Sequence, residues 1–161
     1  MDQLNWFSEM LPYRYIIDAS SIFAQQQGEP HERRVHCSLW EYIEGLIQAQ
    51  VIVTCSEIFE EIKDAKLQKW LVDNHCFVIG IDETVQDNVA QVLAKHPRLI
   101  DFKNGTSSGD AFLIATAMKH NLTIITEEST KSDKRIPHVA ASMGIHTVNI
   151  NGLCSEEGRN F

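Results

Sequence analysis

The sequence predicts an α/β protein, a three-layer α/β/α sandwich around a central, mostly parallel β-sheet. Short runs rich in β-branched residues, apolar throughout instead of alternating, recur along the chain, as strands covered on both faces do. Amphipathic helical patterns separate these runs, the order expected of parallel strands joined by crossovers. No repeat, low-complexity tract or Pro-, Gly- or Ser-rich linker interrupts them, so residues 1–161 read as one domain.

Strands are expected over 14–18, 51–54, 76–79, 122–126 and 146–150. A helix over 38–49 places Leu39, Tyr42, Ile43, Leu46 and Ile47 on one stripe. Residues 56–73 read as two helices, with Ile58, Phe59 and Ile62 and then Leu67, Trp70 and Leu71 inward. A further helix covers 83–95 and stops at His96-Pro97, and another covers 110–120 and stops at Asn121. Residues 1–13 read as an amphipathic helical extension through Leu4, Trp6, Phe7, Met10 and Leu11.

Fourteen Lys and Arg against twenty-two Asp and Glu give a formal charge of −8. That excludes a protein acting as one broad basic surface on nucleic acid. No apolar run is long enough to span a membrane, and the N-terminus lacks the basic start and apolar core of a secretory signal. The four cysteines contain no CxxC pair and read as reduced, mostly buried small side chains of a cytoplasmic protein. The seven histidines are dispersed, and GTSSGD at 105–110 is no phosphate-binding loop, since no GK[ST] follows.

The carboxylates are more informative. Ligands of an open parallel sheet bind beyond the carboxyl ends of its strands. Asp18 closes the first strand, Glu127 and Glu128 follow the fourth, and Asp110 opens the helix leading into that strand. Glu57, Glu60 and Glu61 belong to the helix after the second strand, whose first turns share that end. Taken singly, Asp110 reads equally as a helix-dipole residue, Glu60 and Glu61 as a solvated face, and Glu127 and Glu128 as loop. Together they form a like-charged cluster that calls for a cation. All-oxygen donors favour Mg²⁺ or Mn²⁺, ions suited to phosphodiester hydrolysis. A haloacid dehalogenase-type phosphatase would want a second Asp two positions after Asp18, where Ser20 stands.

YIIDAS at 15–20, EEI at 60–62, GDAFLIATA at 109–117 and TIITEE at 123–128 resemble the PIN domain. SLWEYIEGLI, LQKW and RIPHVAASMGI extend the resemblance over residues 15–153, toward a bacterial PIN-like family. The resemblance implies a Mg²⁺- or Mn²⁺-dependent ribonuclease, similar to type II toxins of the virulence-associated protein C kind. It implies catalytic and metal-binding roles for Asp18, Glu61, Asp110 and Glu128, supported by Ser20 and Thr126. Glu57 and Glu60 are weaker matches for the helix glutamate, and Asp133 is a substitute for the fourth acid. Glu128 departs from the family's usual Asp, and Gly109 from its usual Ala, a change expected only to loosen the helix start. RNA is the expected substrate, a co-encoded antitoxin the expected partner, and a homodimer a further expectation. The alternative is a non-catalytic PIN-like module acting through a protein partner. RNA contacts are expected from two patches: His31, Arg33, Arg34 and His36, and Lys131, Lys134, Arg135 and His138.

Overall fold

A computed structural model describes residues 12–99, 108–131 and 135–161. In chain order the elements are β1 (Tyr15–Ile17), α1 (Ala19–Phe23), α2 (Cys37–Gln48), β2 (Ile52–Cys55), α3 (Ser56–Glu61) and α4 (Ala65–Asp73). They continue as β3 (Val78–Ile79), α5 (Glu83–Lys95), α6 (Ser108–His120), β4 (Thr123–Ile125), α7 (Ile136–Ser142), β5 (Thr147–Val148) and α8 (Ile150–Glu156). The expected helical extension falls on residues 1–13, of which 1–11 lie outside the described residues.

The five strands form one sheet in the order β3-β2-β1-β4-β5, parallel at every pairing. Successive side chains of a strand point to opposite faces, and this divides the core in two. Ile16, Val53 and Ile124 pack with Val92, Leu113, Ile114 and Val139 on the α5–α6–α7 side. Tyr15, Ile17, Ile52 and Ile125 pack with Trp40, Ile43, Leu71 and Leu153 on the α2–α4–α8 side. The architecture is therefore the three-layer α/β/α sandwich that the sequence predicts.

Local chemistry explains the element ends. Asp64 accepts from the Lys66 and Leu67 amides and starts α4, so residues 56–73 split into two helices as their pattern predicts. Asn121 takes a left-handed conformation (φ 52°) and stops α6. Four of the five strands are shorter than their apolar runs, and β2 keeps its length but shifts by one residue, to Ile52–Cys55. Asn149 accepts from the Gly152 amide and opens α8, a helix the apolar pattern alone does not reveal. Trp40 is fully buried and donates to the His31 carbonyl at 2.6 Å, a core role as expected.

All four cysteines are free, but only Cys55 is buried and Cys37 is exposed, so they are not mostly core residues. Among the described residues, no helix is long and apolar enough to cross a membrane.

Candidate active site

The carboxyl ends of β1 and β4 create the centre of the site. Ile17 lies in register with Ile125, so the residues that follow, Asp18 and Thr126, emerge side by side. Asp18 occupies the position before α1 without capping that helix through its side chain. Its Oδ2 instead accepts from the Ser20 hydroxyl at 2.7 Å and the Thr126 hydroxyl at 3.0 Å. Each hydroxyl accepts in turn: Ser20 from the Glu127 amide at 3.0 Å, Thr126 from the Glu128 amide at 3.2 Å. Burial pushes the Asp18 carboxyl above its usual range, and the two hydroxyls with the Ala19 and Ser20 amides oppose that rise.

Asp110 projects from the first turn of α6 and is 7% exposed. Burial, followed by the charges of Asp18, Glu128 and Glu61, raises its carboxyl to about 8, while Arg135 pulls the other way. These four acids, the set the resemblance implies, therefore act on one another at the sheet end. Glu61 ends α3 and accepts from the Gly109 amide at 3.2 Å. Glu57 is half-buried and Glu60 exposed.

Glu128 serves a second purpose. Its Oε2 accepts from the Ile136 amide at 2.9 Å, at the start of α7, and its Oε1 stands 3.5 Å from Arg135 Nη1. Burial raises its carboxyl, the Ile136 amide opposes, Asp18 adds to the rise and Arg135 opposes again. Glu127 is no plain loop residue either: its Oε1 accepts from the Ile150 amide at 2.8 Å and anchors the start of α8. The Thr126-Glu127-Glu128 run thus ties two helices to the sheet end besides facing the acids.

The proposed cationic contacts divide sharply. Arg135 reaches the acids. Arg33 pairs with Glu44 at 2.9 Å, and Arg34 with Glu32 at 3.1 Å. Lys131 is exposed, while Lys134 and Asp133 lie outside the described residues. His31 and His36 line a cavity of 260 Å³ with Asn151, Arg159 and Phe161. Burial holds the His31 imidazole below its usual value, while the charge of Glu127 raises it and His36 lowers it. The Glu127 charge thus reaches the wall of the cavity at His31. Arg159 and Asn151 carry no motif that would single them out in the sequence.

Oxygen donors from four chain regions suit a hard divalent cation, and the rise of Asp110 to about 8 marks the positive charge that such an ion would supply. Among the described residues, however, no three His, Cys, Asp or Glu side chains already stand so as to hold one metal ion between them. The donor set fits the ion by its chemistry, while Asp18, Glu61 and Glu128 are engaged by protein partners.

A family model described as a domain of unknown function, DUF4411, matches residues 15–161. The chain belongs to the DUF4411 family. No curated protein matches it. Among solved structures, the DUF4411 chain is similar to PAE2754 from Pyrobaculum aerophilum, with a TM-score of 0.53 and 12% identity over 92% of this chain and 97% of that one. It is also similar to a structure of FitAB bound to the IR36 DNA fragment, with a TM-score of 0.51 and 17% identity over 84% of this chain and 94% of that one. At these identities the likeness establishes the PIN-like fold.

Proposed function

We propose that this DUF4411 chain is a Mg²⁺- or Mn²⁺-dependent endoribonuclease acting as the toxin of a type II toxin–antitoxin pair. The observation carrying the nuclease reading is the buried Asp110, raised to about 8 among Asp18, Glu61 and Glu128. Like charges that act on one another call for a cation or a proton, and a divalent ion would offset part of their charge. The sequence resemblance to PIN toxins and the fold shared with FitAB support the toxin reading.

Asp18, Glu61 and Asp110 would hold the ion, with Glu128 completing the set. When bound, the ion supplies a more acidic water and positive charge for the phosphodiester. The protein contributes position. Ser20 and Thr126 hold the Asp18 carboxylate in one orientation, and Glu128 keeps Arg135 beside the acids. Arg135 there meets the phosphate and offsets charge on the departing 3′ oxygen. The cavity of His31, His36 and Arg159 offers a place for a neighbouring nucleotide on the same strand.

Purified protein with Mn²⁺ should cleave RNA, and Asp18→Ala or Asp110→Ala should abolish cleavage; cleavage unchanged in both variants overturns the site. Expression without a partner should arrest bacterial growth. Normal growth with ample folded protein sinks the toxin reading while leaving the nuclease reading standing.

The second reading, a binding module without catalysis, is favoured by one feature. Both oxygens of Glu128 already serve the Ile136 amide and Arg135. Calorimetry showing no Mn²⁺ uptake, together with no cleavage, would select it.

A further inference from the structure

We propose that Gly109 is a positioning residue that seats the Glu61 carboxylate beside Asp110, an inference that rests on the metal-site reading above. The Glu61 carboxylate lies directly against the Gly109 backbone. A Cβ at position 109 would fall 2.2 Å from Glu61 Oε1, 2.5 Å from Cδ and 2.7 Å from Oε2. No such contact is tolerable, so any side chain there displaces the carboxylate.

Conformation does not explain the glycine. Among the described residues the left-handed glycines are Gly28, Gly144 and Gly158, and Gly109 sits in ordinary helical backbone at the start of α6. Alanine would suit that backbone better, because glycine orders at a higher entropic cost. What glycine provides is space, together with an amide that donates to Glu61 Oε1 at 3.2 Å. The next residue is Asp110, whose carboxyl feels the Glu61 charge. One missing methyl group thus lets the Glu61 carboxylate at the end of α3 lie against the start of α6, where its charge acts on Asp110. This reverses the expectation that glycine here merely loosens a helix start.

Because the atom met is the end of a flexible side chain, Gly109→Ala should fold, with Glu61 swung away. Calorimetric titration of the metal-free protein with Mn²⁺ reads the consequence. Gly109→Ala should bind Mn²⁺ roughly 10- to 100-fold more weakly than wild type, the usual cost of disturbing a ligand's support. Its metal-free unfolding temperature should match or exceed the wild-type value, since alanine is the better helix former. Glu61→Asp retracts the carboxylate by one methylene, so the Gly109→Ala/Glu61→Asp double variant should lose less affinity than the two single losses combined.

Wild-type affinity in Gly109→Ala overturns the proposal, as does strict additivity in the double variant. A lower unfolding temperature with unchanged affinity would also overturn it, assigning Gly109 to stability alone. A wild-type protein that takes up no Mn²⁺ overturns the metal reading itself. Independently of metal, a crystal structure of Gly109→Ala with Glu61 unmoved refutes the steric claim.

Discussion

The sheet end and the loop before α2 both concentrate charge, yet they treat it in opposite ways. In the loop, Arg33 meets Glu44 and Arg34 meets Glu32, each cation placed against an acid. Glu44 also accepts from the Trp70 indole at 2.6 Å; burial would raise its carboxyl, but Arg33 and Trp70 prevail and hold it below its usual range. At the sheet end Asp18, Glu128 and Glu61 act on Asp110, with Arg135 opposing them among the described residues, and that carboxyl rises to about 8. Opposite charges held together tie structure. Like charges held together need something the fold itself supplies only in part, and there a ligand site is expected.

The largest test of this contrast is Asp110→Asn. It keeps the side-chain shape and removes the charge, and Mn²⁺-dependent cleavage should fall below detection. The corresponding cut on the paired side, Glu44→Gln, should leave cleavage measurable. Equal losses would erase the distinction.

Next in size is the pair of hydroxyls on Asp18. Ser20→Ala with Thr126→Val leaves that buried carboxylate without its two side-chain donors. Mn²⁺ affinity should fall about 10- to 100-fold, as for other supports of metal ligands. An affinity within twofold of wild type would show that the hydroxyls serve only packing.

Arg135→Ala should weaken RNA binding several-fold and reduce the salt slope of binding by about one, the mark of one lost phosphate contact. Anisotropy titrations at several salt concentrations would read both. Arg34→Ala, which removes a cation already paired with Glu32, should change the slope less. The reverse order would move the RNA path to the loop.

A pH effect follows from Asp110. Its folded value of about 8 lies above the ordinary carboxyl value of 3.8, so the native state holds this proton longer than the unfolded chain does. Its contribution is full below about pH 4 and is lost as pH rises toward 8. Chemical denaturation of the metal-free protein should show stability falling across that window, with a shallower fall in Asp110→Asn. Parallel profiles for the two proteins would contradict it. Arg33→Ala gives the smallest effect, a loss of about 0.5–1 kcal/mol, because the guanidinium is partly exposed and its ion pair screened.

Much of this was legible locally. Strands covered on both faces read as unbroken apolar runs, Asp18 ends one where packing alone would not place an acid, and Asp110 and Glu128 gain weight only by sharing that sheet end. The choice of Glu61 over Glu57 and Glu60 rested on family resemblance and agrees with the charges acting on Asp110. The roles of Glu127, Arg33 and Gly109 were not legible. Nothing beside Glu127 announces that it meets the Ile150 amide, and nothing beside Arg33 that Glu44 absorbs its charge.

The sequence by itself determined the layers and the sheet edge carrying the acids. Side-chain periodicity and strand-ending residues are properties of neighbours in the chain, and they need no knowledge of the fold. Only the tertiary structure decided which charges are paired and which are left facing one another. Asp18 meets Thr126 across 108 positions, and Glu61 meets Gly109 across 48. Such contacts depend on strand register and helix packing, which bring distant atoms within hydrogen-bond reach while short-range patterns stay unchanged.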